Sequence, residues 1–262
     1  MRVALISLNQ VWEDKEKNKE LCQWYIKEAA AKKSDLIVFP EMTLTGFTMK
    51  NASIYSENIL KSETVSFFQN ESKNNSIGII FGFIARGEKI SENKLVYLNK
   101  KGEIVGDYSK IHPFSFATED SFFKGGNQVK YASFENINVG LSICYDLRFP
   151  ELFQILSKHS EIIVNIANWP KKRVKHWKSL SMARAIENQV FFIGVNRTGT
   201  DGNGLEYEES SLIVNPNGDV LEEVYLFNDM KVFEIELSNV KRIRTEFPVK
   251  NDRKIDLYKK LL

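Results

Sequence analysis

The strongest constraint on what this chain can fold into is that its buried segments recur in the same order twice. An apolar, β-rich run, VALISLNQ, is followed by a segment from Lys15 to Lys32 with helical spacing through Leu21, Trp24, Tyr25 and Glu28. A second buried run, DLIVFPE, completes a β-α-β unit. Lys61 to Asn74 predicts another helix, IGIIFGFIA another strand, and KLVYLNKKGEIVGDY a hairpin. The second half repeats the pattern: VGLSICY as a strand, Leu152 to Lys158 as a helix, EIIVNIANW as a strand, and Lys175 to Asn188 as a helix. VFFIGVNR and a hairpin over SSLIVNPNGDVLEEVY follow. This repetition predicts an α/β chain of two similar layers, each a mixed sheet with helices outside, the sheets packed face to face.

No linker or low-complexity stretch divides the chain, so one domain over 1–262 is expected. The segment 241–262 is charged yet keeps Ile243, Phe247, Ile255, Leu257 and Tyr258. That many large apolar groups predict packing against the body or a second subunit.

Charge and cysteine content narrow the function. Lys plus Arg number 36 against 34 for Asp plus Glu, interspersed along the chain, which argues against a nucleic-acid or anionic-membrane partner and for a small one. The basic stretch KKRVKHWK, 171–178, reads as a solvated surface. The N-terminal apolar run is broken by Ser7, Asn9 and Gln10, unlike a signal peptide, and no run reaches the roughly 18 residues of a membrane span. Two cysteines, Cys22 and Cys144, make a disulfide framework unlikely and favour a cytoplasmic setting. The three histidines have no zinc-ligand spacing, so neither a metal nor a cofactor is expected.

Ligands of α/β sheets bind beyond the carboxyl ends of strands. Three chemistry-bearing residues occupy such ends: Glu41 in DLIVFPEM, Lys110 in GEIVGDYSKIHPF and Cys144 in VGLSICYD. Each alone has an ordinary reading as a helix-terminal acid, a loop lysine or a core thiol. Together they supply what a nucleophilic thiol needs, a base and a cation to raise its thiolate fraction. His112 is the one histidine near a strand end, a poor candidate for a cysteine–histidine pair.

FPEMTLTGF, YSKIHPF and GLSICYDLRFPEL resemble, in order, the three signature segments of the nitrilase superfamily, the carbon–nitrogen hydrolases with a Glu-Lys-Cys triad. The resemblance covers essentially the whole chain and implies an αββα four-layer sandwich and self-association into a homodimer or higher homo-oligomer. It implies Glu41 as general base, Lys110 as the cation beside the reacting carbonyl and Cys144 as nucleophile. The backbone N–H of Tyr145 would be a second oxyanion donor. Glu119 falls where many relatives keep a second glutamate, with Asp120 as a competing alignment. A catalytically silent scaffold on the same fold is the alternative of another class.

CYDLRFPE is unlike the Cys-Trp-Glu segment of true nitrilases. NWP, HW, ARAIENQ and GVNRTGTDGNG resemble the bacterial omega-amidases, which deamidate 2-oxoglutaramate and 2-oxosuccinamate. N-carbamoyl-amino-acid or other small-amide hydrolysis is the runner-up. Pro113 and Ser115 in KIHPFSF depart from the eukaryotic omega-amidase pattern. Arg148, four residues past Cys144, can bind a substrate carboxylate through a bidentate fork, or pair structurally with Glu151 or Asp146. Trp169, Phe114 and Phe116 are candidate pocket walls or core aromatics.

Overall fold

The computed structural model describes residues 1–134 and 137–261, so Leu262, the last residue of the tail, lies outside the described residues. Alternation along each strand sorts side chains to the two faces of a sheet. In strand Arg2–Ile6, Val3 and Leu5 point one way while Ala4 and Ile6 point the other, and both sets are fully buried. A strand apolar on both faces has to be covered on both. Seven strands form the first sheet, in the order Tyr225–Phe227, Met230–Glu234, Arg2–Ile6, Leu36–Val38, Gly78–Ala85, Glu92–Leu98, Ile104–Ser109. Five form the second: Leu212–Val214, Phe191–Asn196, Ile162–Ala167, Ile137–Ile143, Tyr131–Phe134. Both are mixed, with a parallel centre and antiparallel flanks.

Val3, Leu5, Val38, Ile80 and Tyr97 of the first sheet share one core with Leu141, Ile143, Val164, Ile166 and Ile193 of the second. Ala4, Ile37, Ile79 and Phe81 instead meet Cys22, Ile26, Val65 and Phe68 of helices Lys15–Ala31 and Glu63–Asn75. Ile163, Phe192 and Val214 meet Phe153, Leu156, Trp177 and Ala185 of helices Pro150–Leu156 and Val174–Asn188. The result is the four-layer αββα sandwich that the repeated element order implies.

Helix starts follow local chemistry. Asp14 accepts from the N–H of Lys17 (3.1 Å) and the Ser62 hydroxyl accepts from the N–H of Val65 (3.0 Å), each satisfying a first-turn donor.

One expected element differs. The turn of SSLIVNPNGDVLEEVY forms, with Gly218 N–H donating to Asn215 (2.9 Å), but its return strand shrinks to one bridge, Val214 to Val220. Beyond Leu221 the exposed pair Glu222 and Glu223 carries the chain away, and Tyr225–Phe227 pairs with Met230–Glu234 in the other sheet. The chain's last strands therefore stitch the two halves together.

The tail also meets the body. Helix Ser238–Glu246 buries Val240 and Ile243, Arg244 donates to the carbonyls of Gln189 (3.1 Å) and Ser160 (2.9 Å), and Lys250 donates to that of Ser157 (2.8 Å). Phe247, Ile255, Leu257 and Tyr258 stay exposed.

Glu57 joins the two helices over the first sheet, accepting from Lys15 Nζ (2.5 Å), the hydroxyls of Ser62 and Thr64 (both 2.5 Å) and the Thr64 N–H (3.0 Å). Burial opposes its charge, but these donors prevail and lower its pKa to about 2 from the ordinary 4.5. A carboxyl depressed in the fold stabilises it fully above its unfolded value and loses that contribution as pH falls towards 2. Acid unfolding of the protein should therefore steepen between about pH 5 and pH 2, by at most about 3 kcal/mol from this group. The Glu57→Gln variant should be less stable at pH 7 and flatter across that window, as measured by urea unfolding at each pH.

Candidate active site

Three strands end at one place. Glu41 stands three residues past strand Leu36–Val38, Lys110 directly follows Ile104–Ser109, and Cys144 directly follows Ile137–Ile143. The first two come from one sheet and the third from the other, so the site lies across the open end of the sandwich.

Glu41, Lys110 and Glu119 form a buried ionic cluster, none more than 2% exposed. Lys110 Nζ donates to Glu41 Oε1 (3.1 Å) and to both oxygens of Glu119 (3.0 and 2.8 Å). Asn93 Nδ2 bridges the two carboxylates, at 2.7 Å to Glu41 and 3.1 Å to Glu119. Glu41 Oε2 accepts from the N–H of Asn168 (2.8 Å), and Glu119 Oε2 from that of Phe114 (2.6 Å). Asp120, the competing position, is exposed.

Burial raises Glu41 above the ordinary carboxylate range; Lys110 counteracts this and the Glu119 charge adds to it. Burial works against the Lys110 charge too, yet Glu119 and Glu41 outweigh it and hold the ammonium well above its ordinary value. The half-buried Cys144 thiol is pushed up by desolvation and then by Glu41, with Lys110 pulling the other way. These effects favour the protonated thiol, in a cavity it shares with Lys110.

The backbone at the thiol is unusual. Cys144 has φ of 46°, a left-handed conformation costing a non-glycine residue on the order of 1 kcal/mol. The buried carboxylate of Asp146 holds it there. It accepts from the N–H of Ile143 (3.0 Å), the hydroxyl of Tyr108 (2.7 Å) and the N–H of His112 (3.0 Å), and pairs with His112 Nδ1 (2.8 Å). Burial and then the Asp146 charge keep the Tyr108 hydroxyl well above its ordinary pKa, so it stays a donor. Tyr108 and His112 flank Lys110, so one carboxylate ties the cysteine turn to the segment carrying the lysine. His112 is occupied in this contact and stacked on Phe149 at 3.8 Å.

A cavity of about 160 Å³ opens over Lys110 and Cys144, walled by Phe47, Met49, Phe114, Trp169, Pro170 and Leu205, with Tyr145, Arg148, Asn168, Arg173, Asn203 and Tyr207 adding polar groups. Arg148 faces it from above Trp169 (4.9 Å) and Tyr145 (5.9 Å), with His176 Nδ1 at 3.2 Å. Among the described residues it pairs with neither Glu151 nor Asp146, whose oxygens are taken up as above. Trp169 is 3% exposed and forms part of the wall, as does Phe114. Phe116 does not: its side chain, on the turn Ser115–Ala117, is 85% exposed and outside the cavity. Glu119 takes the buried side of the following turn, leaving Phe116 on the solvent side.

The sequence reading missed Asn93, Asn168, Phe47, Tyr207 and Arg173. Arg173 lay inside the stretch read as solvated; Lys171 and Lys172 are indeed exposed, but Arg173 is half-buried and turned over Phe114. Its signal was its place three residues past Pro170, which also lines the pocket, at the N-cap of helix Val174–Asn188.

The sequence pattern of the carbon-nitrogen hydrolase family matches residues 2–245. The chain belongs to the carbon-nitrogen hydrolases. A hydrolase of the agr operon from Staphylococcus aureus is 34% identical, covering 99% of this chain and 100% of that one. A 2-oxoglutaramate amidase from Bacillus subtilis is 32% identical, over 88% and 89%. A solved CN-hydrolase superfamily protein from Xanthomonas campestris, with an arsenic adduct in its active site, superposes with a TM-score of 0.89 at 26% identity, over 97% of both chains. This hydrolase therefore cleaves carbon–nitrogen bonds other than peptide bonds. No helix of the described residues is long and apolar enough to cross a membrane.

Asp146→Asn keeps the size of the clamp but swaps an acceptor oxygen for a donor, leaving buried N–H or O–H groups unsatisfied at about 1–3 kcal/mol. It should lower both the melting temperature and kcat in this enzyme. An unchanged kcat in a folded variant would show that the clamp does not position the cysteine turn.

Proposed function

We propose that this hydrolase is an omega-amidase, releasing ammonia from 2-oxoglutaramate or 2-oxosuccinamate through a thioester on Cys144. The observation that carries this reading is Arg148: a guanidinium lining the same cavity as Cys144, without a carboxylate partner among the described residues. A forked cation of this kind matches a substrate carboxylate. Such a substrate lays its acid on Arg148 and its amide over the sulfur. The relative named 2-oxoglutaramate amidase supports the same class.

In the proposed mechanism Glu41 takes the thiol proton as Cys144 attacks the amide carbon. Negative charge develops on the carbonyl oxygen, where the Lys110 ammonium and the Tyr145 N–H stabilise it. Glu41 returns its proton to the nitrogen, the carbon–nitrogen bond breaks and ammonia leaves. Water, deprotonated by Glu41, then attacks the thioester; the tetrahedral adduct collapses to the carboxylic acid and frees the thiol. Glu119 keeps Lys110 charged and aimed. Burial makes this arrangement effective, because a carboxylate of raised pKa is a better base and a desolvated ammonium a stronger electrostatic partner.

Ammonia release from 2-oxoglutaramate, a carbamoyl amino acid and an uncharged amide of similar length tests this reading. The 2-oxo amide should be turned over best. Arg148→Ala should lower its kcat/KM about 10- to 150-fold, the range for a charged hydrogen bond, while sparing the uncharged amide and the melting temperature. Preference for the carbamoyl compound, or equal losses on charged and uncharged amides, would overturn it.

A further inference from the structure

The cavity holds a second cation that the carboxylate-binding role leaves unused. Arg173 lines it alongside Arg148, and among the described residues its guanidinium has neither an ion pair nor a hydrogen-bond acceptor. It lies over the ring of Phe114 at 5.3 Å, a contact with the ring face that uses none of its N–H groups as hydrogen-bond donors. The two arginines are built as a pair. The Trp169 ring lies under Arg148 (4.9 Å), while the Trp169 indole N–H donates to the backbone carbonyl of Arg173 (2.8 Å). On the other side, Phe114 under Arg173 packs on Tyr145 at 4.7 Å, and Tyr145 in turn faces Arg148. Aromatic rings thus fix both guanidinium groups on one rim, above a floor where the Lys110 charge is already met by Glu41 and Glu119.

One carboxylate uses one guanidinium fork. We propose that Arg173 receives the oxygen at position 2 of the substrate and thereby selects 2-oxo acids over 2-amino acids, an inference that rests on the omega-amidase reading. A 2-oxo acid presents its keto oxygen beside its carboxylate, so two adjacent acceptor groups meet two donor groups. A 2-amino acid such as glutamine places an ammonium at the same carbon, which meets a fixed guanidinium with no intervening carboxylate. Like charges a few ångströms apart in a pocket walled by aromatic rings repel strongly, so the same residue attracts one substrate and rejects the other. A simple 2-deoxy analogue, glutaramate, keeps the carboxylate and amide but has no group for Arg173 to read.

These three compounds separate the outcomes. In the wild-type enzyme, kcat/KM should fall from 2-oxoglutaramate to glutaramate to L-glutamine. Arg173→Gln should lower kcat/KM for 2-oxoglutaramate about 10- to 100-fold, change that for glutaramate less than about 3-fold, and leave glutamine equal or improved. Arg173→Lys, which keeps the charge and loses the fork, should fall between on 2-oxoglutaramate and still exclude glutamine. The melting temperature should move little, since the side chain makes no ion pair or hydrogen bond among the described residues and only its contact with the Phe114 ring is lost. Equal losses on 2-oxoglutaramate and glutaramate would overturn the role of Arg173 while leaving the omega-amidase reading intact. A wild-type enzyme inactive on 2-oxoglutaramate but active on another amide would overturn that reading instead, and the inference with it.

Discussion

A buried ammonium shared by two carboxylates is the interaction on which this site depends. Removing three charges from water costs several kcal/mol each, and mutual attraction recovers that only when geometry is good and the remaining lone pairs are bonded. Both conditions are met: Lys110 reaches three carboxylate oxygens within 3.1 Å, and Asn93, Asn168 and Phe114 supply further donors. A buried cluster of this kind is weak evidence for stability. Its value lies in chemistry, because it carries one more negative than positive charge and so keeps Glu41 basic without letting Lys110 lose its proton.

Everything around the cluster serves to bring it to the sulfur. The first sheet delivers Glu41 and Lys110, the second delivers Cys144, and the shared core of Val38, Ile80, Ile143 and Ile166 fixes the sheets face to face. Across that seam Asp146 clamps the strained cysteine turn to Tyr108 and His112, on either side of the lysine. The left-handed φ of Cys144 sets the residue at the cavity wall, where desolvation raises the pKa of its thiol.

The layers were legible in the sequence because the central strands are apolar on both faces and the helices that cover them on one, and periodicity reports burial directly. Strands 225–227 and 230–234 were not, since Leu226, Phe227 and Glu234 are exposed and 225–227 is an edge strand, where pairing, not alternation, decides. Glu41, Lys110 and Cys144 were legible as strand-end residues, and their joint meaning came from three motifs in order. Asn93 gave no signal: it sits in a polar run, SENK, and only the fold turns it inward between two acids. Phe116 misled because an aromatic beside a site motif looks like a wall, whereas a three-residue turn decides which of Phe114 and Phe116 faces the cavity. Arg173 was hidden by its basic neighbours, for a solvated lysine and a pocket arginine share one charge pattern.

The proposed mechanism requires a covalent bond between the substrate's acyl carbon and Cys144. Rapid acid quench of this enzyme during turnover of 2-oxoglutaramate, followed by mass spectrometry of its peptides, reads that bond directly. The expected result is a mass gain equal to the substrate less ammonia, on the peptide carrying Cys144 and not on that carrying Cys22, lost when the quenched adduct is treated with hydroxylamine. Steady turnover with no adduct under any quench, together with retained activity in Cys144→Ala, would contradict it.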